Sequence, residues 1–264
     1  MQSKPSVVHP LLPTCRVIFA LMMREMSTSY GRSAGGYLWV ILEPAAGIAL
    51  MSIAFGLFLK SPPLGENFAL FYATGLLPFV IYTEISGKVS QTIRFSRPLL
   101  VYPKVTFIDA VFARFVLNLW AQAIVFCVVM SGIIWFFDLG VSRILAAVGM
   151  SVFVAAFLGL SVGTLYILLF AFVPVWERVW SVINRPMLLV SCIFYTYDGL
   201  PESIRDIIWF NPIVHVVGLM RQALYSEYGA HYVSPGYVFL CCILLWSFGI
   251  YFLRLYHKKI MNEL

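Results

Sequence analysis

Charge is what this sequence has least of. Only 11% of its 264 residues are Asp, Glu, Lys or Arg, where soluble domains carry about 25%. Hydrophobic residues make up 61% and the mean hydropathy is +0.89, which excludes a water-soluble fold and predicts an all-α integral membrane protein. Internal repetition is lacking too: no self-similarity at a period of roughly 20 to 50 residues indicates stacked units, so one membrane domain, 1–264, is expected. Cysteine is sparse and odd in number. Cys15, Cys127, Cys192, Cys241 and Cys242 show no metal-ligand or redox spacing, and four of them lie inside apolar runs. They read as reduced, small apolar fillers. The first 30 residues lack a secretory pattern, because the apolar run 17–23 is short and is followed by Arg24 and Glu25.

The marks of catalysis are also missing. A phosphate-cradling loop needs a spaced glycine and a hydroxyl after its Gly-Lys pair, but around "ISGKVS" Tyr82 stands in the glycine position and Val89 in the hydroxyl position. ATP binding of that kind is excluded. The four histidines, His9, His215, His231 and His257, never fall four residues apart, which removes the zinc-hydrolase helix, and no carboxylate pair shares a recognisable element. Neither a cofactor nor a metal is expected on this chain. The Lys and Arg residues that give the net charge of +6 do not gather on one soluble face, so nucleic-acid binding is not expected.

Long apolar runs are what the sequence does have. Six stretches are long enough to cross about 30 Å of hydrocarbon: 37–59, 68–85, 108–137, 144–175, 179–197 and 237–255. With the N-terminus cytoplasmic, twelve Lys and Arg fall in the inside pieces and four outside, namely Lys60, Arg143, Arg205 and Arg221. This bias places both ends in the cytoplasm. Before the first span, 14–30 is apolar but too short to cross, and its Arg16, Arg24 and Glu25 suit a helix lying in the interface. Between spans two and three, "KVSQTIRFSRPLLVYPKVTFID" carries four basic residues, and Pro98 and Pro103 bracket the apolar patch Leu99, Leu100, Val101 and Tyr102. That patch reads either as a docking surface or as an ordinary basic loop. Between spans five and six, 198–235 contains two short amphipathic pieces. The second opens at Asn211-Pro212, a cap followed by a first-turn proline, and the pair predicts a re-entrant hairpin on the outer side. His215, in that second piece, reads as a packed histidine.

Ionisable residues inside spans are functional pointers, because charge in hydrocarbon is costly. Glu84, Asp109 and Arg114 lie near cytoplasmic ends, where side chains can snorkel. Arg185 in Asn184-Arg185-Pro186 sits deeper, beside a helix breaker, and either meets an anionic substrate or pairs with a carboxylate such as Glu43. Glu43 and Pro44 interrupt the first span. Pro44 withholds the usual donor from the Val40 carbonyl, so a kink and a carboxylate facing the bundle interior are expected. Trp39, Trp176, Trp180 and Trp209 read as an interfacial belt.

"GYLWVILEP" (36–44), "GLLPF" (75–79), "LVYPKVTFIDAVFAR" (100–114), "SCI" (191–193) and "WFNPIVHVVGLMRQAL" (209–224) resemble the ABC-2 type permease of bacterial capsular polysaccharide exporters. The resemblance implies a homodimer of six-span subunits in the inner membrane, with two copies of a separate cytoplasmic ATPase that holds ATP and Mg. It implies a lipid-linked polysaccharide as cargo, handed to periplasmic and outer-membrane partners. It further implies that 14–30 is an interface helix and that Phe95, Arg97, Leu99, Leu100, Tyr102 and Lys104 belong to a coupling segment, 95–104. Trp209, Asn211, Pro212, His215 and Arg221 would belong to a gate. Phe210 departs from the tryptophan that usually precedes Asn-Pro in that family. Two other readings remain at this stage: another cargo such as O-antigen, teichoic acid or a drug, and a membrane-embedded transferase acting on lipid-linked sugars.

Overall fold

The computed structural model describes residues 11–29, 36–100, 105–138 and 145–263. Lys4, His9, Arg32, Tyr102, Lys104 and Arg143 therefore lie outside the described residues, as do the side chains of Arg97, Leu99, Leu100 and His257. Among the described residues there are ten α-helices and no strand. In chain order they are α1 (Leu11–Ser29), α2 (Gly36–Phe58), α3 (Phe68–Ser90), α4 (Thr92–Leu100), α5 (Phe107–Phe136), α6 (Leu145–Phe172), α7 (Val175–Val190), α8 (Glu202–Ile208), α9 (Pro212–Leu224) and α10 (Pro235–Glu263). Five are long and apolar enough to cross a membrane: α2, α3, α5, α6 and α10. The α8–α9 pair, bent by 102°, makes six if it is counted as one broken span.

Small residues set the centre of the bundle. A methyl group added at Gly159 of α6 would lie 2.9 Å from the Tyr82 carbonyl oxygen, and one at Gly163 would lie 2.9 Å from that of Ser86. These glycines, one turn apart, let α6 approach the backbone of α3 closely, the small-xxx-small device of membrane helices. Gly249 does the same for α10, where an added methyl would meet the Leu165 backbone nitrogen at 3.2 Å. In consequence α3 and α6 are mostly buried, whereas α2, α5 and α10 keep most of their apolar surface outward, as lipid-facing helices do.

Two elements differ from their sequence expectation. The apolar run 179–197 reads as one span, but α7 has 16 residues and ends at Val190, about 24 Å of helix. Ser191 is its C-cap, and Cys192 turns the chain with φ of 56°. Hydropathy does not separate a helix from a buried irregular turn. Residues 191–193 are buried, and non-helical backbone at such depth is tolerated because protein covers it. Between α3 and α4 only Gln91 intervenes, so the expected coupling segment starts as a near-continuation of α3. Pro44 is accommodated inside α2, which is unbroken from Gly36 to Phe58.

Candidate functional site

The end of the bundle that carries α1 and α4 is organised by one buried arginine. Arg114 of α5 donates from Nε to Glu25 Oε1 of α1 at 2.7 Å and from an Nη to the Lys88 carbonyl of α3 at 2.8 Å. Its guanidinium lies 4.4 Å over the Phe95 ring of α4, and that of Arg24 approaches the same ring at 5.8 Å. The Arg114 and Glu25 side chains are 5% and 7% exposed. Four helices thus meet on one ion pair, and removing either partner of such a pair leaves an uncompensated charge worth about 3–5 kcal/mol. Leu21 of α1 adds an apolar seat against Ala110 and Ala113. Asp109 serves a different purpose: with Thr106 it forms a capping box that starts α5. Arg114 does not snorkel. The sequence reading singled out Glu25, Arg114 and Phe95 separately, and only the fold shows them as one cluster. Arg16, also on α1, is exposed. α4 is held at its first turns by buried Thr92, Ile93 and Ser96, and Arg94 reaches Glu177 of α7 at 3.8 Å.

A second cluster lies within the span region. Glu43 and Pro44 of α2, Thr83 and Glu84 of α3 and Gln122 of α5 line a cleft of about 310 Å³. Pro44 is buried, but Glu43 is exposed and borders this cleft. Glu43 therefore borders an opening rather than sitting inside the bundle. Gln122 is 5% exposed, and no hydrogen bond to its amide occurs among the described residues. Asn184 is half-buried and Arg185 is exposed on α7. The structure does not bring Arg185 and Glu43 of one chain together.

The opposite end is built from the turn after α7 and the bent α8–α9 pair. The Asn211 side chain accepts from the Ile213 N–H at 3.0 Å, capping α9 with Pro212 in its first turn, and its amide donates to Ser191 Oγ at 3.3 Å. The Ser234 N–H donates to His215 Nδ1 at 3.2 Å, which leaves the ring proton on Nε2 to be donated to the Trp209 carbonyl at 2.7 Å. His215 is packed in its neutral form, in contact with the rings of Trp209, Tyr232 and Tyr237. Trp209 donates from its indole to the Tyr232 carbonyl at 3.2 Å, whereas Phe210 beside it is 67% exposed.

Arg221 is the residue whose surroundings the sequence reading did not give. Counted among the outer basic residues, it is in fact 0% exposed. It donates to the carbonyls of Ile193 at 3.0 Å and Tyr195 at 2.9 Å, and its guanidinium lies 4.3 Å over the Phe71 ring. No carboxylate pairs with it among the described residues. It supplies the donors that the interrupted helix after α7 needs. A signal was present: Arg221 follows Ile213 and Val217 at four-residue steps, on the apolar stripe of α9.

The described residues gather no three His, Cys, Asp or Glu as metal ligands. The polar groups are suited instead to holding helices at fixed mutual positions and to lining an opening. Comparison with known proteins agrees with that character. The chain is 28% identical over 248 residues to the polysialic acid transport protein KpsM of Escherichia coli, covering 92% of this chain and 95% of the relative. It is 29% identical over 252 residues to the capsule polysaccharide export inner-membrane protein CtrC of Neisseria meningitidis serogroup A, covering 94% and 93%. It is 23% identical over 246 residues to the capsule polysaccharide export inner-membrane protein BexB of Haemophilus influenzae, covering 93% and 92%. The ABC-2 type transporter family profile matches residues 16–225, most of the chain, including the Arg114 cluster, the Glu43 cleft and Arg221, and the chain belongs to that family.

Proposed function

We propose that this chain is the membrane permease of an ATP-driven exporter that moves lipid-linked capsular polysaccharide across the bacterial inner membrane. It works as a homodimer with two copies of a cytoplasmic ATPase, and both its termini face the cytoplasm. The observation that carries the reading is the end-to-end similarity to separately named capsule export proteins, at more than 90% of both chains in each case. ATP and Mg are held by the ATPase, consistent with the degenerate phosphate-loop pattern around Gly87. The polymer passes on to periplasmic and outer-membrane partners.

The roles of the segments follow from the clusters. α1 is the interface helix and α4 the coupling helix. Their junction on Arg114 supports a rigid path from an ATPase seated on α4 to α1, α3 and α5, because the pair joins all four helices at one buried point. Two ATPases that close on ATP then move the permease halves as bodies. The α8–α9 hairpin is the outer gate, with Arg221 and His215 fixing its base. A charged polymer crosses a bilayer only along a wet, protein-lined path, and the cleft of Glu43, Glu84 and Gln122 gives that path polar wall.

Deleting the gene in its own host tests the reading. Surface polysaccharide is expected to disappear while lipid-linked polymer accumulates inside the cell, and restoring the chain reverses both. Unchanged surface polysaccharide contradicts the assigned cargo. The coupling role is tested by Leu99→Asp with Tyr102→Asp: co-purification with the ATPase is expected to be lost, and intact binding removes that role from 95–104.

A further inference from the structure

We infer that the cleft at Glu43 is completed by Arg185 of a second copy of this chain, so that two symmetric Glu43–Arg185 pairs hold the permease dimer together at membrane depth. This rests on the homodimer proposed above and names its polar contact.

The starting point is charge without a partner. Among the described residues the ion pairs with both carboxylate and cation near the span region are Arg114–Glu25 and Arg94–Glu177, and neither involves Glu43 or Arg185. No Lys or Arg lies on α2. Glu84, the other carboxylate of the cleft, has Lys88 one turn along α3, a spacing that lets it find a cation on its own helix. Glu43 has none. A second observation points to an incoming polar group: Gln122 is 5% exposed, faces the same cleft and has no hydrogen-bond partner among the described residues. A guanidinium fits this set. Its five donors can take the Glu43 carboxylate and the Gln122 amide oxygen together.

Arg185 is the matching charge. It is exposed on α7, which has no buried residue among those described, beside Val182, Ile183 and Leu189, which are exposed too. The depths agree. Trp180 of α7 packs its ring on Tyr166 of α6, and Gly163 of α6, three residues back, lies against Ser86 and Val89 of α3; Arg185, five residues or about 7 Å of helix beyond Trp180, therefore comes near the level of Glu84. Glu43 lines the cleft with Thr83 and Glu84, one turn from Gly47, which touches Leu76. An arginine and a glutamate exposed on the single chain near one level of the span region, with no ion-pair partner among the described residues, are each costly alone at membrane depth and favourable together. A two-fold axis that sets α2 of one copy against α7 of the other makes this contact twice, whereas the fold of a single chain keeps the two residues apart.

Charge reversal tests the pairing in the full-length chain with its ATPase. Two differently tagged copies are co-expressed, and recovery of the second tag with the first is measured. Wild-type copies are expected to co-purify. Glu43→Arg copies alone, and Arg185→Glu copies alone, are expected to lose self-association by about tenfold or more, because both symmetric contacts become like-charge. A Glu43→Arg copy mixed with an Arg185→Glu copy is expected to recover wild-type yield, since both contacts are then opposite-charge. A pair within one chain is not rescued by mixing, so failure of the mixture to recover overturns the inference, as does unaltered self-association of either variant. If wild-type copies themselves do not co-purify, the homodimer falls and the pairing with it. A fold-independent check uses a Glu43→Cys copy with an Arg185→Cys copy and a short bis-maleimide. A two-tag adduct absent from wild-type copies supports the pairing, and its absence while the wild-type copies co-purify overturns it.

Discussion

Arg114 and Arg221 are both buried arginines laid over a phenylalanine, at 4.4 Å on Phe95 and 4.3 Å on Phe71, yet they are neutralised in opposite ways. Arg114 meets a carboxylate carried by another helix, so its charge is a joint between α5 and α1. Among the described residues Arg221 donates to carbonyls of the turn that follows α7 and pairs with no carboxylate, so its charge is a brace that replaces missing helical hydrogen bonds. A joint depends on one partner and fails when that partner is neutralised. A brace depends on the geometry of a fork and fails when the fork is lost. The end proposed to receive the ATPase has the joint, and the end proposed to gate the polymer has the brace.

The largest expected effect is at the brace. Arg221→Ala leaves two buried carbonyls without donors and a cavity over Phe71, a loss of about 3–5 kcal/mol in all, read as a fall in melting temperature of the detergent-purified chain. Arg221→Lys is expected to recover less than half of that loss, since an ammonium does not span both carbonyls as the fork does. Full recovery with lysine would mean that only the charge matters and would erase the contrast with Arg114.

The joint comes next. Glu25→Gln is expected to cost about 3 kcal/mol by leaving the Arg114 charge without a carboxylate. In the double variant Glu25→Leu with Arg114→Met, much of the stability lost by either single change returns. Export is not expected to return with it, because the link from α4 to α1 is gone. Additive losses in the double variant would show that the two residues act independently.

His215→Phe is the smallest of the three. It keeps the aromatic packing but removes one acceptor and one donor, so the Ser234 N–H and the Trp209 carbonyl lose their partners, at about 1–3 kcal/mol in total. His215→Gln, which can supply both functions, is expected to be milder by the same melting measurement. Equal loss for the two would assign His215 a role in packing alone.

These three residues also mark how far the sequence could be read. Composition sufficed for a helical membrane protein, and hydropathy for the five long helices, because burying backbone in lipid leaves few alternatives. It overextended α7, since the apolar residues 191–195 look the same whether helical or turned around Arg221. Spacing located the cap at Asn211 and the bend before it, which are local features. The partners of charged residues were not legible: Glu25 and Arg114 are 89 positions apart, and nothing local says that α1 folds back onto α5. The burial of Arg221 was not legible in a topology count, which says nothing of solvation, although its place on the apolar stripe of α9 already set it apart.

The central claim is that this chain is the path and the lever of an ATP-driven polymer exporter. Proteoliposomes that contain the chain with its ATPase, loaded with labelled lipid-linked polysaccharide on the ATPase side, test it most directly. Transfer of label to the opposite side is expected only with hydrolysable ATP, and it is expected to fall sharply for Glu25→Gln while ATPase binding persists. ATP-independent transfer, or no transfer by an assembled complex that hydrolyses ATP, would contradict the account.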